Sequence, residues 1–169
     1  ILVDYNNSSL PDEWSYFTSS KDKIYLGVND KDNYIINIYN LNGEIIEEVR
    51  KKYASVKFTE EEIDKIISYI NKTGQRPLDR KLVNKKRAVL GVYYDKEGRL
   101  IVHPAVDITK AENDGMILDF YRDNVYLNST KLKTEEPYYQ CEFSTFLKFL
   151  GDKMFLIDSK RNVLEVYEY

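Results

Sequence analysis

The stretch that decides the fold is KIYLGVNDKDNYIINIYNLNGEIIEEVRKKY, at residues 23–53. Tyrosine, isoleucine and valine fill three short runs, and Asn, Asp and Gly residues separate these runs. Strands favour β-branched and aromatic residues, whereas tight turns favour Asn, Asp and Gly. The pattern predicts antiparallel strands at residues 23–28, 34–40 and 44–49, with Asn42-Gly43 forming a type I′ turn in which φ is positive.

The same unit recurs further along the chain. Asp22-Lys23-Ile24-Tyr25-Leu26 returns as Asp152-Lys153-Met154-Phe155-Leu156, and a looser copy is Gly98-Arg99-Leu100-Ile101-Val102. Each copy fits a four-stranded antiparallel sheet that cannot bury both faces alone. Repeated units of this kind stack their apolar faces on their neighbours.

An amphipathic helix interrupts the strand pattern. Thr59 and Glu62 have the spacing of a capping box, and acidic residues at the helix start suit its positive end. One apolar face is formed by Ile63, Ile66, Ile67 and Ile70. We predict that this face packs against a sheet edge or the side of a sheet. The basic stretch at residues 76–87 could bind phosphate or an acidic partner, but we predict that it is an exposed, flexible linker.

Together these elements predict an all-β fold, with four-stranded antiparallel meanders arranged as β-propeller blades and one inserted α-helix. Residues 1–169 form a single domain in this interpretation. Its parts are a blade at residues 13–53, a helix and basic loop at 58–87, a blade at 88–133 and an incomplete blade at 138–169.

Composition excludes several classes of function. The net charge of −3 gives no global basic field that would attract nucleic acid. The single cysteine, Cys141, cannot form an internal disulfide, and we interpret it as a small strand residue. No apolar run approaches the roughly 20 residues of a membrane span. Tyrosine supplies most of the aromatic content, which suits half-buried strands.

The strand motifs resemble the six-bladed β-propeller family of NHL and TolB-like proteins, in its bacterial secreted or lipoprotein form. The resemblance rests on residues 22–26, 38–43 and 94–102 and on the strands near the C-terminus. It implies an extracytoplasmic location, in the periplasm or at the cell surface. Because six blades of roughly 40–45 residues need a longer chain, it also implies a C-terminal half of about three blades, completed by missing blades or by a second copy.

Propellers recognise ligands where loops converge near the axis. The resemblance implies that the loops between the second and third strands of each blade contribute to this recognition. These loops are residues 29–33, 104–115 and 159–162. The candidate ligand-binding residues in or beside them are Asp30, Asp32, His103, Lys160 and Arg161.

Each candidate also has an ordinary structural interpretation. Asp30 and Asp32 lack the glycine and the distal glutamate of a calcium loop, so a solvated hairpin turn fits them better. His103 is the only histidine, which leaves a metal site without a second imidazole. Aromatic pairs such as Tyr93-Tyr94 more often pack sheet against sheet than bind ligands. We therefore predict no catalytic residue, no metal and no cofactor.

The leading hypothesis is a non-catalytic binding or scaffold module that recognises a small molecule or a protein at the loop face. One alternative is a propeller-type hydrolase or lyase acting on a sugar or a peptide. That alternative would bring His103 together with at least two carboxylates. Another is a small α/β toxin-neutralising partner protein, which would need one continuous sheet packed on the helix.

Overall fold

The computed structural model describes residues 16–72, 79–107, 109–110, 115–133, 145–158 and 163–168. Within these ranges it contains eleven strands and one α-helix. In chain order they are β1 (Phe17–Ser19), β2 (Lys23–Gly27), β3 (Tyr34–Asn40), β4 (Ile45–Lys51), α1 (Glu60–Lys72), β5 (Val89–Tyr94), β6 (Arg99–Pro104), β7 (Met116–Arg122), β8 (Val125–Leu132), β9 (Thr145–Leu150), β10 (Lys153–Asp158) and β11 (Val163–Glu168).

The described strands form three separate antiparallel sheets. The first sheet has the order β1-β2-β3-β4, the second β5-β6-β7-β8, and the third β11-β10-β9. The predicted meanders and the predominantly β class are confirmed. The sheets do not close into a ring, and they are not continuous with one another, so the single-sheet arrangement required by the toxin-neutralising alternative is not observed.

The second sheet lies between the other two. On one face, Leu100 and Val102 pack with Ile36 of the first sheet in one apolar cluster. On the opposite face, Ile101 packs with Met154 of the third sheet in another. Because successive side chains of a strand point to opposite faces, one apolar run in β6 serves both clusters.

Aromatic side chains cross both of these boundaries. Tyr25 of the first sheet stacks on Tyr94 of the second, with ring centroids 5.3 Å apart. Tyr93 meets Phe149 of the third sheet at 5.4 Å. The prediction that Tyr93 and Tyr94 pack sheet against sheet is confirmed.

The hairpin between β3 and β4 differs from the prediction in turn type. Gly43 has a positive φ of 83°, as expected, but Asn42 does not. The Gly43 N–H donates to the Asn40 carbonyl at 3.0 Å, and the Asn40 side-chain oxygen accepts the N–H groups of Asn42 and Glu44. This is a three-residue loop with glycine in the left-handed position. A turn with two positive φ values occurs instead at Asp123-Asn124.

Helix α1 begins as predicted. The Thr59 hydroxyl accepts the Glu62 N–H, and the Glu62 carboxylate accepts the Thr59 N–H at 2.9 Å. The prediction that its apolar face packs on a sheet is wrong. The cluster formed by that face is completed by Phe58 and Val83, which lie in the segments before and after the helix.

These two segments form a neck that closes the inserted region. The Lys86 N–H donates to the Val56 carbonyl at 2.8 Å, and the Phe58 N–H donates to the Asn84 carbonyl at 3.2 Å. Lys86 and Arg87 are buried there, so the prediction of an exposed linker is wrong at these two residues. Lys86 tolerates burial because its ammonium group pairs with the Glu62 carboxylate.

Among the described residues, no helix is both long and apolar enough to cross a membrane.

Candidate functional site

Two adjacent clefts lie on either side of residues 51–53, where the chain leaves β4. The first cleft has a volume of about 260 Å³ and also reaches Ala105 and Lys110, in the connection between β6 and β7. The second cleft has a volume of about 270 Å³ and reaches Asp32, in the connection between β2 and β3. Four residues line both clefts, namely Tyr34, Lys51, Lys52 and Tyr53.

The register of the first sheet brings the shared residues together. Tyr34 begins β3 and Lys51 ends β4, and the two residues are directly paired across the strands. Side chains that are paired in this way lie on the same face of a sheet. This face is turned toward the second sheet, where β7 supplies Asp119 to the first cleft.

A buried carboxylate forms the polar floor of the first cleft. The Lys51 ammonium group donates to both carboxylate oxygens of Asp119, at 2.8 and 2.9 Å. The Ser129 hydroxyl, directly opposite on β8, donates to the same carboxylate. Asp119 is fully buried, and an unpaired charge there would be costly. Lys51 and Ser129 therefore hold it in place.

Tyrosine rings enclose this ion pair. The Lys51 ammonium nitrogen lies 4.7 Å from the centroid of the Tyr126 ring, within the range of a cation–π contact. The Tyr121 hydroxyl donates to the Tyr34 hydroxyl at 3.0 Å. Burial, and after it the negative charge of Asp119, raises the pKa of Tyr34 far above its ordinary value of 10. Burial also raises the pKa of Tyr121, so both tyrosine hydroxyls stay protonated and act as neutral hydrogen-bonding groups.

The rim of the first cleft carries exposed charges. Lys52 and Lys110 are exposed lysines on its lining. Asp107 also lines the cleft and lies between the end of β6 and Lys110 in the chain. Hydrogen bonds from the Thr109 side chain and backbone lower the pKa of Asp107, which keeps this carboxyl ionised. Lys51 and Asp119 neutralise each other, so among the described lining residues Lys52 and Lys110 are the exposed cations and Asp107 is the remaining carboxylate.

Asp30 and Asp32 form the turn between β2 and β3. Asp30 accepts the N–H groups of Asp32 at 2.7 Å and of Asn33 at 2.8 Å, and these hydrogen bonds lower its pKa. Asp32 accepts a hydrogen bond of 2.6 Å from the Lys85 ammonium group. Asp32 lines the second cleft, whereas Asp30 serves to hold the turn.

His103 lies in the interior on β6, away from the cleft linings. Burial, and after it the positive charge of Lys86, lowers the pKa of its imidazole to about 3. The ring is therefore neutral at physiological pH. Lys160, Arg161 and Cys141 lie outside the described residues, so their predicted roles remain predictions.

Sequence reasoning missed the residues that form the floor of the first cleft. One signal was available, because Asp119 is a lone carboxylate inside the apolar run Met-Ile-Leu-Asp-Phe-Tyr of β7. A charge in such a run is either paired or functional. Nothing local identifies Lys51 as its partner, because the two residues are 68 positions apart.

In the part of the chain that the structure describes, no group of three or more His, Cys, Asp or Glu side chains is placed to hold a metal ion. Comparisons with protein families, with curated proteins and with solved structures find no match to this chain.

Proposed function

We propose that the chain is a binding module that takes an anionic ligand, or an acidic group of a protein partner, at the two clefts beside residues 51–53. The observation that carries this proposal is the position of two loops selected from the sequence. The loop at residues 29–33 and the loop at 104–115 both contribute to clefts that share Lys51 and Lys52. Loops held by a rigid sheet scaffold are where binding residues are commonly found.

The charge on the linings supports an anionic group. In the second cleft, Lys51 is neutralised by Asp119, Arg50 pairs with Glu48 and Asp32 pairs with Lys85, which leaves the exposed Lys52 as a cation for a ligand. In the first cleft, the exposed Lys52 and Lys110 outnumber the one remaining carboxylate, Asp107, among the described lining residues. The whole chain is acidic, with a net charge of −3, so a local excess of positive charge would focus anions at this position.

The stacking of the sheets supports the propeller part of the proposal. Consecutive sheets pack face to face in chain order, and β5 lies against β1 and β2 as well as β9. Propeller blades pack in such a sequence. We propose that the three sheets are consecutive blades, and that the protein acts outside the cytoplasm, as the family resemblance implies.

The anion site can be tested by thermal unfolding in the presence of inorganic phosphate and citrate at constant ionic strength. The double variant Lys52→Ala/Lys110→Ala removes both exposed lysines of the first cleft, and Lys21→Ala removes an exposed lysine from the distant β1–β2 turn as a matched control. We expect one or both anions to raise the midpoint of wild type and of the control, and to raise it much less in the double variant. An equal shift in all three proteins, or none, would reject the site.

A further inference from the structure

The first and third sheets each have one face that no described sheet covers. On the third sheet, Leu164 is 59% exposed and Val166 is 49% exposed, and their cross-strand partners are Ile157 and Phe155. On the first sheet, Phe17 is 69% exposed and lies opposite Leu26. Contiguous exposed apolar faces of this kind mark interaction surfaces.

The sequence repeat shows that the two outer faces differ in the neighbour they would contact: one corresponds to a face that packs on a following sheet, and the other to a face that packs on a preceding sheet. Tyr25 and Ile101 occupy equivalent repeat positions, and each packs toward the sheet that follows it. Phe155 holds that position in the third sheet, and its cross-strand partner Val166 lies on the outer face. The outer face of the third sheet is thus the one that would receive a following sheet.

The opposite holds for the first sheet. Leu100 and Met154 occupy the preceding repeat position, and each packs toward the sheet that comes before its own in the chain. Ile24 holds that position in the first sheet, on the face away from the second sheet. Its outer face is therefore the one that would cover a preceding sheet. The two outer faces therefore match the two sides of the contact that joins the first sheet to the second and the second sheet to the third.

We propose that a second copy of this chain covers both faces. The third sheet of each copy packs on the first sheet of its partner, so that two copies form a closed pair of six sheets. This contact repeats the packing between the first and second sheets and between the second and third. The proposal rests on sheet packing and does not depend on the ligand proposed for the clefts.

The area of the contact favours a closed pair over an open one. Strands about 4.8 Å apart with a rise of about 3.3 Å per residue give the three six-residue strands of the third sheet a face of roughly 280 Å². Counting both partners, one contact buries about 560 Å², which is below the roughly 1,000 Å² of a specific interface. Two contacts bury about 1,100 Å², so closure brings the pair above this threshold.

The test is the mass of the full chain in solution, measured by light scattering after size exclusion and by native mass spectrometry. We expect a species of twice the 20.0 kDa chain mass. Val166→Lys on the third sheet and Phe17→Lys on the first should each shift it to the monomer. The matched control is Val125→Lys, because Val125 is 64% exposed on β8 of the second sheet and outside both outer faces. It should remain a pair.

Three results would overturn the proposal. A monomer at tens of micromolar would assign the faces to a different protein or to further sheets of a longer chain. Growth into polymers would show that the contact does not close. Loss of the pair in Val166→Lys but not in Phe17→Lys would show that two third sheets meet each other. If either variant unfolds by circular dichroism, Leu164→Lys and Ile45→Lys replace it on the same faces.

Discussion

The ammonium group of Lys86 donates a hydrogen bond of 2.6 Å to the carboxylate of Glu62, and both side chains are buried. Glu62 lies in the first turn of α1, and Lys86 lies in the neck that leads to β5. The same ammonium nitrogen lies 5.7 Å from the centroid of the Phe58 ring. A single cation therefore joins the helix, the neck and the apolar cluster of the inserted region.

Removal of this cation should destabilise the protein strongly. Lys86→Ala leaves the buried Glu62 carboxylate without its charge partner, and losses of about 3–5 kcal/mol are typical of such changes. Urea unfolding of this variant measures the effect. The neighbouring Lys85→Ala serves as the control, because Lys85 pairs with the exposed Asp32 and should matter far less. Equal effects of the two variants would contradict the buried pair.

Replacing both charges together distinguishes the contribution of the ion pair from the contribution of the volume that the two side chains fill. Glu62→Leu/Lys86→Met exchanges the pair for apolar side chains of similar size. We expect this double variant to be much more stable than Lys86→Ala, because no unpaired charge remains. The Thr59 N–H loses its capping partner, so full recovery is not expected.

The small cluster beneath α1 should contribute measurably to stability. Ile66 is buried with Val83 and Phe58, and Ile66→Ala should cost about 2 kcal/mol, the lower end for a buried isoleucine, because the cluster is small. Ser68→Ala on the exposed side of the helix is the control. A change in denaturant melting below about half a kcal/mol would show that the helix is only loosely attached.

The β3–β4 hairpin should depend on the conformation of Gly43. Its φ of 83° lies in the left-handed region, where side chains with a Cβ cost roughly 1–2 kcal/mol and a β-branched one is a genuine outlier. Gly43→Val should lower the melting temperature clearly. Asn42→Ala, one position earlier, should have little effect because Asn42 needs no positive φ. A neutral Gly43→Val variant would show that the turn has a different geometry.

His103 should make stability depend on pH. Its folded pKa of about 3 lies below the ordinary value of 6.5, so the unfolded chain takes up a proton first as the pH falls. The folded state is therefore favoured fully above pH 6.5 and loses stability from there toward pH 3, by up to about 1.4 kcal/mol per pH unit. His103→Gln should flatten the dependence between pH 6.5 and about pH 5, which lies above the range where the lowered pKa values of Asp30, Asp32 and Asp107 make stability depend on pH. Equal slopes would contradict the buried neutral imidazole.

Local pattern was enough to predict the half-buried strands. Residues 34–40 were predicted with the bounds that the structure shows, because their apolar residues mark a strand packed on a core. The same reasoning placed the following strand at residues 44–49, whereas β4 spans Ile45–Lys51. Most of β4 is exposed, and an exposed edge strand has no regular apolar alternation to mark its end.

Tertiary pairing explains the main failures. Lys86 belongs to a basic block, and its burial depends on Glu62, which is 24 positions away. The apolar helix face was wrongly assigned to a sheet, because amphipathic spacing shows that a face is buried but does not identify the residues that cover it. The floor of the first cleft was missed for the same reason, since Lys51 and Asp119 come from different sheets.

The coverage of the second sheet on both faces has a consequence for how the molecule opens. Amide hydrogens in β6 and β7, which are central strands of the layer between the two apolar clusters, should exchange with deuterium last. Those of the outer-edge strands β4 and β11 should exchange early. Opening would proceed from both ends of the chain inward, and the middle third would carry the free energy of global unfolding.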